Sequence, residues 1–174
     1  MAKKAVVIVA VVLVVVVVAA AAFFMLSNNS DDNSKKNTYW YYIDYGDYET
    51  STVANGWISG EGNNAYEGIC SALDGLGITF DIPDSGLMEG FIIEINGVEP
   101  DWSATGDSWS QFVWTGGTDS SISDGWEEMG TGITGVTTSQ NIFYFGVTEF
   151  DSVTYEPTLD PNTTTGWQDG GPFA

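Results

Sequence analysis

The chain predicts an α+β fold: a mostly antiparallel β-sheet with one packed helix, preceded by a single N-terminal transmembrane helix. Three observations carry this expectation. Residues 5–26 form an unbroken apolar run. Several later stretches alternate apolar and polar residues at the period of two that a half-buried strand requires. One stretch, "NNAYEGICSALDGLG" (residues 63–77), has helical periodicity with both a start and a stop signal.

The apolar run is "AVVIVAVVLVVVVVAAAAFFML", Ala5 to Leu26. At 1.5 Å per residue, a helix of that length crosses a hydrocarbon core of about 30 Å. Its valine richness is no obstacle, because in lipid the backbone satisfies its polar groups by forming a helix. Lys3, Lys4 and the amino terminus precede it, which puts the N-terminus in the cytoplasm and the C-terminal domain outside. Lys35 and Lys36 pull the other way, with Asp31 and Asp32 beside them. Ala20-Ala21-Ala22 resembles a signal-peptide cleavage site, but "FFML" prolongs the apolar run beyond it. Two outcomes therefore stay open: a single-pass cell-membrane anchor (residues 1–26), or a signal segment that is removed, leaving the domain secreted. No cysteine stands directly after the run, which excludes a lipid anchor of the bacterial type. Residues 27–37, "SNNSDDNSKKN", form a polar stalk. Asn28 and Asn162 begin Asn-X-Ser/Thr triplets, which are glycosylation acceptors in an exported chain.

Residues 38–150 make the acidic extracellular domain. "TYWYYIDY" (Thr38 to Tyr45) reads as a strand with Tyr39, Tyr41, Ile43 and Tyr45 on one face, and Thr52 to Ser59 as a second strand. Next comes the helix, with Ala65, Ile69, Ala72, Leu73 and Leu76 on its apolar side. Asn64 and Glu67 form a capping box, and Gly75 or Gly77 supplies the stop. Ile78 to Ile82 and Gly90 to Gly97 read as strands, the latter ending in an Asn96-Gly97 turn. Ser108 to Thr115 and Asn141 to Glu149 complete the set. The Gly/Ser/Thr-rich stretch between those two reads as loop, with one helical turn at Asp124 to Met129. Residues 151–174 form an irregular tail, whose Trp167 and Phe173 are placed to fold back onto the domain.

The order "YYIDYGD", "AYEGICSALDGLGI", "GFIIEINGV", "DSWSQFVWTGG" resembles the small α+β domain that closes transcobalamin and recurs in bacterial and archaeal surface proteins. The resemblance spans roughly residues 40–147 and rests on Ile43 to Asp47, the helix, Ile95-Asn96-Gly97 and the strand Trp109 to Trp114. This chain departs from the family at Gly116-Gly117, where Asn-Gly is usual, and in lacking "DGD" before Asn141. The large helical domain of transcobalamin is absent. The resemblance implies a compact surface domain with a ligand-binding edge; no corrinoid-contacting residue carries over.

Charge excludes several functions. The chain has 24 acids against 4 lysines and no histidine. Only Asp31 and Asp32 precede residue 37, so 22 acids and no Lys, Arg or His follow it. Nucleic acid is excluded as a partner, since phosphate binding needs Lys and Arg. No Ser-His-Asp or Cys-His arrangement is available, nor a zinc site of imidazole and thiolate. A carboxylate-only enzyme would need two acids across a sugar-sized cleft; Glu127 and Glu128 are merely adjacent. The expectation is a noncatalytic domain without a cofactor. Calcium is the one metal such oxygen donors suit. Its best candidate loop is "LDPNTTTG", with Asp160, Asn162 and Thr164 at alternate positions; "DIPDSG" (Asp81, Asp84) is a second cluster, and a solvated turn is the competing reading of both. Cys70 reads as a small residue on the helix's apolar face.

The remaining signal is aromatic: seven Trp and eight Tyr. Large rings stiffen a small disulfide-free core; they also stack on sugars and other flat ligands. Trp102, Trp109 and Trp126 are the candidates for a ligand-binding face. Alternation in "SWSQFVWT" sets Trp109 and Val113 on one face and Phe112 and Trp114 on the other, so two covers are required, the second supplied by the Trp167 tail. The sequence thus predicts a cell-surface domain that binds a small molecule, glycan or envelope component. The rival is a structural or adhesion protein that assembles or binds protein partners, braced by calcium.

Overall fold

A computed structural model of the chain describes residues 36–50, 52–116, 125–136 and 140–173. The apolar run 5–26, the stalk up to Lys35 and Asn28 lie outside the described residues. Among the described residues, no helix is long and apolar enough to cross a membrane.

The domain is α+β, as its alternation predicts. Strands β1 (Asn37–Asp44), β2 (Gly56–Gly62), β5 (Asp107–Trp114), β6 (Trp126–Glu128) and β7 (Ile142–Glu149) form one sheet in the order β2-β1-β7-β5-β6. Every pairing is antiparallel except β1 with β7, where Trp40 lies opposite Ile142 and Asp44 opposite Gly146. Those two strands stand at opposite ends of the domain's sequence, so the whole intervening chain serves as their crossover. A second ladder joins β3 (Phe80–Asp81) to β4 (Glu94–Ile95). The strands expected over Ile78 to Ile82 and Gly90 to Gly97 shrink to these two-residue pieces. The turn after β4 is as read: Asn96 (φ 56°) and Gly97 (φ 78°) both take positive φ, the geometry Asn-Gly favours.

Helix α1 (Ala65–Leu76) starts where Asn64 Oδ1 accepts the Glu67 N–H at 2.8 Å and stops at Gly77, which has φ 68°. The reciprocal arm of the cap reaches one residue further back than expected: the Glu67 carboxylate accepts from the backbone and side chain of Asn63. Two glycines bring this helix onto the sheet. A Cβ on Gly60 of β2 would lie 2.1 Å from the Gly68 carbonyl oxygen, and one on Gly68 would lie 2.7 Å from the Tyr39 ring.

The sheet is covered on both faces. On one side Tyr39, Tyr41, Ile43, Tyr45, Trp109, Val113, Phe143, Phe145 and Val147 pack under α1 and under segments bearing Ile82, Ile92, Ile95, Met129 and Ile133. On the other, Tyr42, Phe112, Trp114, Trp126, Ile142 and Tyr144 pack under the tail. Trp167 is fully buried there. Its Nε1 donates to Pro161 O at 2.8 Å, its carbonyl accepts from Trp57 Nε1 at 2.7 Å, and its ring lies 5.3–5.4 Å from those of Trp114, Trp126 and Phe173. The helical turn expected from Asp124 to Met129 is corrected. Trp126–Glu128 is strand β6, with Trp126 opposite Trp114. Pairing with β5 buries the Trp126 ring while Glu127 and Glu128 stay exposed, and that tertiary gain overrides the local preference of two consecutive glutamates.

Candidate functional site

With both faces closed, exposed rings are few. Of the seven tryptophans one, Trp102, is exposed, at 47%. Its position follows from local chain chemistry. Asp101 caps the four-residue helix α2 (Trp102–Thr105): its Oδ1 accepts from Ser103 N (2.9 Å), Ser103 Oγ (2.6 Å) and Ala104 N (3.3 Å). Gly106, at φ 80°, ends the helix, and its N–H returns to Trp102 O at 3.0 Å. The chain then enters β5. Trp102 is held by Phe150, whose ring centre lies 5.2 Å away at an interplanar angle of 70°. Phe150 N in turn donates to Gly106 O at 3.2 Å.

The turn after Phe150 exposes Val153 and Tyr155. Asp151 Oδ1 accepts the N–H groups of Val153 and Thr154, both at 2.8 Å, and Tyr155 takes φ 60°. At the same end of the sheet Asp107 and Glu149 are directly opposed across β5 and β7. The Tyr48 hydroxyl donates to Asp107 Oδ2 at 3.1 Å. This end of the sheet thus carries the exposed Trp102 on Phe150 and, on the helix-covered side beside Tyr48, the Asp107–Glu149 pair. Asp101 is held below the usual carboxylate range by the Ser103 hydroxyl and N–H, and Asp151 by the Thr154 and Val153 N–H groups.

The other candidates fall elsewhere. Trp109 is buried on the helix-covered face, its Nε1 donating to Val98 O at 3.2 Å and its ring 5.7 Å from Tyr45. Trp126 is buried on the tail-covered face, with Trp114, Trp167 and Tyr144 rings 5.1–5.6 Å away. The three tryptophans do not form one ligand face, because strand alternation sends Trp109 and Trp126 to opposite sides of the sheet. Trp102 alone meets solvent.

Asp160 and Thr164 turn their polar groups onto the tail itself, and Asn162 turns its carboxamide onto β6. Asp160 Oδ1 accepts Asn162 N at 3.0 Å, and Thr164 Oγ1 donates to Pro161 O at 3.2 Å. Asn162 makes a two-point bond to β6: Oδ1 accepts Trp126 N (2.9 Å) and Nδ2 donates to Trp126 O (3.1 Å). Its carboxamide thus stands in for a strand neighbour at the outer edge of β6, and a glycan on Nδ2 would compete with that bond. Among the described residues no three His, Cys, Asp or Glu side chains group closely enough to hold a metal. The Cys70 thiol is half-buried on α1 and pushed up by that burial.

Sequence reasoning missed Phe150, Tyr155 and the Asp107–Glu149 pair. The signal for Trp102 was present in "DWSATG": a capping Asp and a terminating Gly bracket one helical turn and lift its first residue off the sheet. Compared with protein-family models, curated proteins and solved structures, the chain finds no match in any of the three.

Proposed function

We propose that this is a cell-surface protein, anchored by residues 5–26 or secreted after their removal, whose acidic outer domain binds a small ligand or envelope component without catalysing a reaction. The observation that carries the reading is the exposure of Trp102, the one exposed tryptophan of seven. An indole left 47% open on a capped, Phe150-braced turn contributes little to the core. Its area is available for stacking or apolar contact. The resemblance to the transcobalamin-closing domain supports the same class of function, a surface module with a ligand-binding edge. The four motifs behind that resemblance belong to β1, α1, the β4 turn and β5.

A structural or adhesive role is the second reading, favoured by one observation: Leu87 is fully exposed and Met88 half-exposed at the tip of the 83–90 loop. Strand-to-strand assembly at β6 is disfavoured, because Asn162 occupies that edge. Calcium bracing belongs with this second reading.

The test is the melting temperature of residues 36–174 against glycans, corrinoids and calcium. A ligand at 100 times its dissociation constant stabilises by about 2.7 kcal/mol, roughly 9 °C for a domain of this size. A shift with one small molecule, lost in Trp102→Ala, supports the binding reading. A response to calcium alone, unaffected by Trp102→Ala, moves the function to a metal-braced surface domain. A flat panel moves it to adhesion.

A further inference from the structure

We infer that the open edge of β2 receives an extended segment of a partner polypeptide, which adds to the five-stranded sheet as an antiparallel sixth strand. This surface is separate from Trp102: β1 and β7 stand between β2 and β5, the strand that the Trp102 turn enters.

The backbone sets the geometry. Trp40 N donates to Asn141 O at 2.8 Å, so Trp40, Tyr42 and Asp44 turn their backbone groups toward β7, and the odd-numbered residues of β1 turn theirs toward β2. The register then commits Gly56, Ile58, Gly60 and Gly62 to β1. It leaves the N–H and C=O groups of Trp57, Ser59 and Glu61 pointing outward. Among the described residues no backbone group bonds to these six. The one further hydrogen bond of β2 runs from the Trp57 ring to Trp167 O.

The chain treats its two sheet edges differently. At β6 the Asn162 carboxamide bonds both backbone groups of Trp126 and fills the edge. β2 has none of the usual guards of a free edge: no Lys, no Pro, and no bulge, since its register with β1 runs unbroken from Gly56 to Gly62. Ser59, at its centre, is exposed. Such an edge is a template for a strand, its main-chain groups giving affinity and alternate side chains giving specificity.

Charge and space choose the occupant. No Lys, Arg or His follows Lys36, against 22 acids, so a second copy would set two strongly acidic domains edge to edge. The occupant is therefore a segment of another chain without net negative charge. α1 stands close over β2: a Cβ on Gly60 would meet the Gly68 carbonyl, and one on Gly62 the Gly68 nitrogen. A helix is about 10 Å across and strands lie about 4.8 Å apart, so α1 reaches over the next strand position. Side chains turned to that side must be small; larger ones lie beside Trp57, Ser59 and Glu61. Residues directly opposite on antiparallel strands share a face, so the larger residues are also those whose N–H groups meet β2.

The test uses the full chain in a non-ionic polyoxyethylene detergent and the fluorescent peptide Lys-Val-Ala-Val-Ala-Val-Lys, read by anisotropy and by NMR hydrogen exchange. The peptide should bind and slow exchange at the outward amides of Trp57, Ser59 and Glu61. Methylating its three Val nitrogens should weaken binding at least about ten-fold, since each methyl removes a hydrogen bond to β2. Methylating its two Ala nitrogens, which face away from β2, keeps the same charge and should leave affinity within about two-fold. Ser59→Pro removes an outward N–H where an edge strand tolerates proline and should abolish binding while the melt stays cooperative.

Failure of the unmethylated peptide to bind overturns the inference. Equal binding of all three peptides does so too, as it would mark attraction of charge alone. A greater loss from the alanine methyls than from the valine methyls would overturn the antiparallel placement. Slow exchange at the three amides without peptide, with a mass that rises with concentration, would make a second copy the occupant and overturn the partner assigned here.

Discussion

Trp167→Ala should be the most damaging single ring removal in the domain, though the residue lies in a tail of Pro, Gly and Thr. The ring is fully buried beneath β5 and β6, between Trp114, Trp126 and Phe173. Truncating a buried Trp to Ala costs about 3–5 kcal/mol in transfer and cavity terms. The loss also strips the Nε1 donor from Pro161 O, which keeps only the longer bond from Thr164 Oγ1. Taking about 4–5 kcal/mol and an unfolding entropy of roughly 0.3 kcal/mol/K for about 140 residues, the melting temperature should fall by about 15 °C. The assay is a circular-dichroism melt of residues 36–174, with Trp102→Ala as the matched control. That exposed ring should cost less than about 0.5 kcal/mol, roughly 2 °C. A Trp167→Ala loss below about 5 °C, or one equal to that of Trp102→Ala, would refute the claim that the tail is the second cover of the sheet.

Four other outcomes follow from the same geometry. Gly60→Ala should cost about 1–3 kcal/mol or more, seen as a lower melting temperature, since its Cβ meets the Gly68 carbonyl and Ala72 backbone with no flexible atom to yield. Asn162→Ala should cost about 1–3 kcal/mol and speed hydrogen exchange at the Trp126 amide, because both halves of its two-point bond to Trp126 disappear. The buried Gln111 carboxamide has no hydrogen-bond partner among the described residues, so Gln111→Met should raise the melting temperature by several degrees; a fall would show that the carboxamide is bonded. Burial lifts Tyr41, Tyr42 and Tyr144 above the ordinary tyrosine value and pushes Tyr45 up to about 12. The folded state then holds these protons where the unfolded state has released them, so stability is intact below pH ~10 and falls as pH rises beyond it. Tyrosinate absorbance from these rings should appear in one steep step together with unfolding; their titration with the fold intact would contradict the packing.

Much of the fold was legible because its signals are local or strictly periodic. Tyr39, Tyr41, Ile43 and Tyr45 alternate, so one register fixes their shared face. Asn64, Glu67 and Gly77 mark both ends of α1 within fourteen residues. The need for two covers followed from Trp109 and Trp114 lying an odd number of residues apart on one strand, and that parity pointed to Trp167 before any contact was known. What stayed hidden depended on partners distant in sequence. Trp126 and two glutamates read as a helical turn because the decisive neighbour, Trp114, arrives only through β5. Asp160, Asn162 and Thr164 left a calcium loop and a solvated turn both open, because alternate spacing of oxygen side chains does not show that Asn162 bonds the backbone of Trp126 and closes a strand edge. The Trp102 corner needed Phe150, forty-eight residues on, which the β5–β7 register alone brings alongside.

The central claim is that the tryptophans are scaffold except Trp102, and that binding belongs there. The most direct measurement is a fluorine NMR spectrum of residues 36–174 made with 5-fluorotryptophan, recorded with a neutral gadolinium chelate and then with any glycan, corrinoid or other ligand that stabilises the domain. The resonance lost in Trp102→Phe should be the most strongly broadened by the chelate and the one that moves with ligand, while those of Trp109, Trp114, Trp126 and Trp167 stay sharp and still. Broadening of the Trp114, Trp126 and Trp167 lines, or a ligand that shifts them and leaves Trp102 unmoved, would contradict the account.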